Sequence, residues 1–238
     1  MPSPQYHPAV PSRTWTPQEV LDRLRASAQP GGREGMARFG INPDRALGVR
    51  IPDLRRLARE IGTDHGLALA LWRTGVHEAR ILASMVDDPA RVTERQMESW
   101  VRDFDSWDLC DQVCGSLFDR TRFARRKARQ WAGREEEFVK RAAFALVAWM
   151  AVHDRGADDR FFLGFLPVIE RHATDGRNFV KKAVNWALRQ VGKRNHSLNR
   201  AAVRTARRLA RSENRFARWV GTDAVRELTG PAVRERVR

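Results

Sequence analysis

The sequence predicts an all-α protein: a solenoid of stacked helix pairs with a concave basic face. Three observations predict it. Apolar residues recur at helical spacing from residue 17 onward, with neither strand-like alternation nor a hairpin turn. Short Gly, Pro, Asn and Asp punctuators cut the chain into segments of helix length. Lys and Arg total 44 against 29 Asp and Glu, a formal charge of +15, and the excess falls in blocks rather than evenly.

The elements follow in order. Residues 1–14 carry Pro2, Pro4, Pro8 and Pro11 and read as a flexible tail ahead of a single helical domain over 15–238. Thr16-Pro17 opens the first helix, with the threonine as cap and the proline in the first turn. Turns are expected at Gln29–Gly32, Gly62–Asp64, Asp87–Pro89, Gly133, Asp154–Gly156, Thr174–Gly176, Arg194–Asn195 and Gly221–Asp223. That division gives roughly ten to fourteen short helices. From residue 50 they pair with a period of roughly 35–45 residues, the spacing of HEAT-type arrays. Such pairs stack into a curved solenoid.

Composition narrows the function classes. The 42% hydrophobic content is that of a globular chain. The longest apolar run, Ala142–Val152, is too short to span a bilayer, and the first residues contain no apolar leader, so no membrane partner is expected. The only cysteines, Cys110 and Cys114, have no second Cys/His pair at ligand spacing. Neither a metal nor another cofactor is expected, and a reducing, cytoplasmic setting suits two thiols. The 120–134 stretch holds seven basic residues and no acid; the 177–218 stretch holds thirteen and one acid, Glu213. Two such blocks, mostly arginine, point to a polyanionic partner, with duplex DNA the first candidate.

Three segments carry residues that core packing does not explain. In 107–119, Leu109, Cys110, Val113, Cys114, Leu117 and Phe118 form the apolar stripe, and Asp105 and Ser106 suit its start. Trp107 and Asp111, four apart, stack at the shoulder of that stripe. They are either a packed Trp beside a solvated Asp or a site. In 178–193, Trp186 lies roughly 110° from the centre of the core stripe, among Lys182, Arg189 and Lys193. An aromatic on a cationic face suits nucleic acid, where cations hold phosphates and aromatics meet sugars and bases. In 135–153, apolar nearly all round, Arg141 needs a partner, either a carboxylate or a phosphate.

These segments resemble the AlkD family of HEAT-like DNA glycosylases of alkylation repair. The resemblance rests on FDSWDLCD at 104–111, KRAAFALVAW at 140–149 and FVKKAVNWALRQVGKRN at 179–195, with GMARFG at 35–40 and GVRIPDLRRLAREI at 48–61. It covers residues 17 to 225. It implies hydrolysis of the N-glycosidic bond of cationic N3- or N7-alkylated purines in duplex DNA, by a monomer, without insertion of the base into a deep pocket. It further implies that Asp111 is the catalytic carboxylate, that Trp107 and Trp186 flank the lesion and its sugar, and that Arg141 meets the DNA backbone. Phe39 stands where the family pattern has a tyrosine, removing a hydroxyl near the DNA. Two rival readings share the scaffold: a non-catalytic binder of DNA structure, and a HEAT-type scaffold for an acidic protein partner.

Overall fold

The computed structural model describes residues 14–237, so the expected tail lies outside the described residues except for Thr14. Among these residues there is no strand. Fifteen α-helices and one 3-10 turn follow one another: α1 Pro17–Ala26, α2 Gly32–Arg38, α3 Ile51–Ile61, α4 His65–Arg73, α5 His77–Val86, α6 Glu94–Arg102, α7 Trp107–Ser116, the 3-10 turn Phe118–Arg120, α8 Ala124–Ala132, α9 Glu137–His153, α10 Asp159–Leu163, α11 Leu166–His172, α12 Asn178–Gly192, α13 His196–Ala210, α14 Arg215–Leu228 and α15 Pro231–Arg236. None of them is long and apolar enough to cross a membrane.

Helix α1 begins as expected. The Thr16 hydroxyl accepts from the Glu19 N–H, and the Glu19 carboxylate accepts from the Thr16 N–H at 2.8 Å, a reciprocal capping box ahead of Pro17. One expected turn is wrong. Gly221 lies inside α14, and a methyl group there would come within 2.2 Å of the Ala210 backbone nitrogen. This glycine lets α13 and α14 approach closely; it does not break the helix. The segment expected over 107–119 also divides, with the α-helix ending at Ser116 before the 3-10 turn. At its start Ser106 is the cap residue, but its side chain makes no capping bond.

Alternate helices form two layers. In one, α5 packs on α7, α7 on α9, α9 on α12 and α12 on α14. In the other, α4, α8 and α13 each back a member of the first row, while α10 and α11 cover α13 from beside it. The repeat is visible in the polar contacts between successive helices. His77–Asp108 spans 31 residues, Trp131–Glu98 33, His153–Asp119 34, Asn195–Asp159 36 and Arg208–Glu170 38. These separations run from just below the 35–45 residues read from turn spacing into its lower end.

The core is continuous along this stack. Trp72 and Trp100 lie parallel with ring centroids 3.9 Å apart, and Phe104, Phe118 and Trp131 extend the aromatic chain. Tilted aromatic pairs such as those of Phe104, Phe118 and Trp131 add about 0.5–1.5 kcal/mol each beyond the area they bury. Helix α9 is buried almost throughout, as its all-round apolar pattern requires.

The stack also corrects the charge reading. The 120–134 block has no acid of its own, but neighbouring elements supply them. Lys127, 3% exposed, donates to Glu94 and Glu98; Arg126 pairs with Glu94, and Arg125 with Asp154. Of the later block, Arg177, Arg189, Lys193, Arg194 and Arg208 have carboxylate partners. Among the described residues Lys181, Lys182, Arg200, Arg204, Arg207, Arg211, Arg215 and Arg218 have none.

One cross-repeat pair steadies the start of α7. His77 on α5 is buried, and its Nε2 lies 2.8 Å from the Asp108 carboxylate. Burial opposes the charged imidazole, but the hydrogen bond and charge of Asp108 outweigh it, so the pKa of His77 lies above its ordinary value. A raised imidazole pKa contributes stability that is complete below the ordinary value and is lost as pH rises through the raised one. The melting temperature should therefore fall as pH rises from the ordinary imidazole value through the raised one. In His77→Gln, which keeps a donor but not the titration, the fall should shrink. An unchanged fall would remove His77 from this role.

Candidate active cleft

The site is assembled from the row α7, α9 and α12. Trp107 and Asp111 come from successive turns of α7, Arg141 and Trp149 from one face of α9, and Phe179, Lys182 and Trp186 from α12. The non-helical segment after α2 closes one side, where the indole N–H of Trp107 donates to the Phe39 carbonyl at 3.0 Å. An open cavity of about 570 Å³ lies between these parts, walled by Phe39, Trp107, Arg141, Phe179 and Lys182 among others. Phe39 is 74% exposed at its rim.

The carboxylate is held by an arginine fork. Arg141 Nε donates to Asp111 Oδ1 at 2.9 Å and Nη2 to Oδ2 at 2.7 Å, while Nη1 donates to the Phe179 carbonyl at 2.6 Å. The guanidinium sits 5.9 Å from the centre of the Trp107 ring. Arg141 therefore has a carboxylate partner, one of the two alternatives open from sequence. Burial pushes the Asp111 carboxyl above its ordinary value, and Arg141 opposes that shift through its charge and hydrogen bonds. Burial also works against the guanidinium, but Asp111 more than offsets it and holds Arg141 charged.

A third tryptophan, not singled out in the sequence, completes the site. Trp149 donates its indole N–H to the Asp111 backbone carbonyl at 2.9 Å. Its ring meets Trp186 edge-on at 5.4 Å and stacks on His153 at 4.9 Å. His153 is in turn bonded to Asp119 at 2.6 Å. The signal was in the sequence: Arg141, Ala145 and Trp149 lie four apart on one helix face. Trp186 reaches the Asp111 backbone carbonyl through Trp149 and is half-buried, more enclosed than its helical-wheel position suggests.

The predicted residues thus fall into two groups. At the cleft, Phe39, Trp107, Arg141 and Lys182 line the cavity, Asp111 lies behind Arg141 and is bonded to it, and Trp186 is linked to these only through Trp149. Arg189 and Lys193 lie farther along α12, bonded to Glu227 of α14 at 2.5 and 2.7 Å. The cationic face expected around Trp186 is therefore partly neutralised by an acid some 38 residues downstream. The two cysteines are free, buried, and placed against the carbonyls of Phe138 and Ala142. Burial holds the Cys114 thiol well above its ordinary pKa, which suits a packing role and not a nucleophile. Among the described residues no three His, Cys, Asp or Glu side chains cluster so as to hold a metal.

Gly115 sets the position of Trp149. A methyl group on Gly115 would lie 2.4–2.6 Å from the indole ring. Gly115→Ala is expected to cost about 1–3 kcal/mol by overpacking and to displace Trp149 from the Asp111 carbonyl. Thermal melting together with near-ultraviolet tryptophan signals checks both effects; an unchanged melting temperature would mean the ring moves freely.

Comparison with known proteins bears on the fold and the family. No curated protein matches the chain. Among solved structures, one is similar with a TM-score of 0.78 at 18% identity, covering 92% of this chain and 95% of that one. It is described as a new family of proteins related to the HEAT-like repeat DNA glycosylases, with affinity for branched DNA structures. At this identity the likeness establishes the HEAT-like repeat fold. The model of the DNA alkylation repair enzyme family matches residues 20–228, nearly the whole helical array. The chain belongs to the DNA alkylation repair enzyme family.

Proposed function

We propose that the cleft is the active site of a DNA glycosylase that acts as a monomer on cationic N3- or N7-alkylated purines in duplex DNA. The observation that carries this reading is the Asp111 carboxylate, buried and fixed by the Arg141 fork beside Trp107 and Trp149. An alkylated purine already bears positive charge and leaves without much acid assistance. The remaining demand is to stabilise the oxocarbenium-like sugar and to admit water. The bond from C1′ to the base nitrogen breaks, and the base leaves neutral. Water oxygen then bonds to C1′ and gives its proton to the carboxylate or to solvent.

Each residue has a physical part in that scheme. Asp111 opposes the developing positive charge and can orient the water. The logic is that of glycoside hydrolysis with one carboxylate dispensed with. Arg141 offsets the burial that would otherwise protonate Asp111. The faces of Trp107 and Trp186 favour cationic groups by about 0.5–2 kcal/mol each. Lys182, exposed and without a carboxylate partner, suits a phosphate. Phe39 presents an exposed ring at the rim in place of the family's tyrosine.

A second reading is a non-catalytic binder of DNA structure. It is favoured by the bidentate hydrogen bonding from Arg141 to Asp111, which leaves the pair without net charge, and by the description of the structural neighbour. Base release from duplex containing N7-methylguanine separates the readings. Release by the wild type and not by Asp111→Asn supports the glycosylase. Tight binding without release by either supports the binder.

A further inference from the structure

Four large hydrophobic residues are exposed among the described residues, and two of them are aromatic: Phe39 at the cleft and Trp219 on α14. Trp219 is 42% exposed and does not stand alone. Lys181 Nζ lies 4.8 Å from the centre of its ring and 5.7 Å from that of Phe216, one turn earlier on α14. The Arg215 guanidinium lies 4.6 Å from the Phe216 ring. Arg218 donates to the carbonyls of Ser212 and Glu213. None of Lys181, Arg215 and Arg218 has a carboxylate partner among the described residues.

The patch has a defined shape. A methyl group on Gly176, in the turn before α12, would lie 2.7 Å from the Phe216 ring, so this ring packs directly on the turn. Lys181 and Lys182 are adjacent on α12. Lys182 borders the cleft and Lys181 reaches the α14 aromatics. The two places are therefore about one helix spacing apart, roughly 10 Å.

We propose that Phe216 and Trp219 of α14, with Lys181 of α12, form a second nucleic-acid site that takes an unstacked nucleotide of single-stranded DNA flanking the duplex at the cleft. This rests on the reading that the cleft binds DNA. Unpaired cations supply phosphate contacts, and the aromatic rings supply stacking. A flat exposed indole has little to match on a duplex, whose base faces are covered by their neighbours. A base that has left its stack offers the complementary face.

The test compares a fully paired duplex with the same duplex carrying a single-stranded tail that contains 2-aminopurine. Wild type, Trp219→Ala and Trp219→Phe are measured side by side. The wild type should prefer the tailed DNA and quench the 2-aminopurine. Trp219→Ala should lose about tenfold in affinity for the tailed DNA and less than about twofold for the paired one, in keeping with loss of one stacked base. Trp219→Phe should keep most of the preference. Equal losses on both ligands, or no loss on either, would overturn the proposal. So would concentration-dependent self-association that Trp219→Ala abolishes without changing tail binding, which would assign the patch to a second copy of the chain. The assay reads binding alone. A wild type that shows the preference but releases no base leaves this site standing and removes the chemistry proposed for the cleft. A wild type that binds no DNA removes both.

Discussion

Asp111→Asn should lower base release from an N7-methylguanine duplex by a factor on the order of 10²–10³, the usual loss when one preorganised charge stabiliser is removed. Its affinity for that duplex should be at least that of the wild type. The two effects separate because the carboxylate acts on charge that develops only in the transition state, whereas in the ground state it faces a polyanion. The substitution keeps the shape of the side chain, so Trp107 and Trp149 should stay in place. It also sets an amide against one arm of the Arg141 fork, so a lower melting temperature is expected and the assay belongs well below it. If Asp111→Asn released base normally but bound DNA poorly, Asp111 would be a structural anchor for Arg141.

The wild-type pH profile follows from the same carboxyl. Only the ionised form opposes positive charge on the sugar, and burial has raised the pKa of Asp111. Activity should therefore fall on acidification at a pH above that of an ordinary aspartate. The sign of the linkage is opposite for stability: between the ordinary and raised values the folded state holds the proton more tightly, so ionising Asp111 costs stability as pH rises through that window.

Arg141→Ala should be the most destabilising single change at the cleft. Arg141 is 5% exposed, and its removal leaves the Asp111 carboxylate buried without its counter-charge and the Phe179 carbonyl without its donor. Breaking a buried pair in this way costs about 3–5 kcal/mol. In a chain of this size that lowers the melting temperature by about 10 °C. Asp111 would escape part of the penalty by taking up a proton, so its pKa should rise further and base release should fail at neutral pH. Arg141→Lys keeps the charge but not the fork, and should fall between the two. A salt dependence of DNA binding that flattens in Arg141→Ala without loss of stability would instead put this guanidinium on a phosphate.

Much of this was legible in the sequence. Helical spacing and the Thr16-Pro17 start gave the class and the first boundary, because both are local properties of the chain. The i, i+4 relation of Trp107 and Asp111 is local too, but it left a packed pair and a site both open, and only the fold shows that the partner Arg141 needs is Asp111. Properties set between repeats were not legible. Glu94 and Glu98 pair with Arg126 and Lys127 of the 120–134 block from about 30 residues upstream, and Glu227 does the same for Arg189 and Lys193 from downstream. Gly221 resembled a turn because sequence does not show that α13 crosses α14 at that point. The alternation of basic and aromatic residues in Arg215, Phe216, Arg218 and Trp219 was visible, but its link to Lys181 exists only once α12 and α14 pack together.

The most direct test is a single-turnover time course with excess wild-type protein on a duplex carrying one N7-methylguanine, following free base and abasic sites together. Both should appear in equal amounts, faster than spontaneous depurination, while unmodified guanine in the same duplex is retained. Bound duplex whose depurination is no faster than in buffer would contradict it.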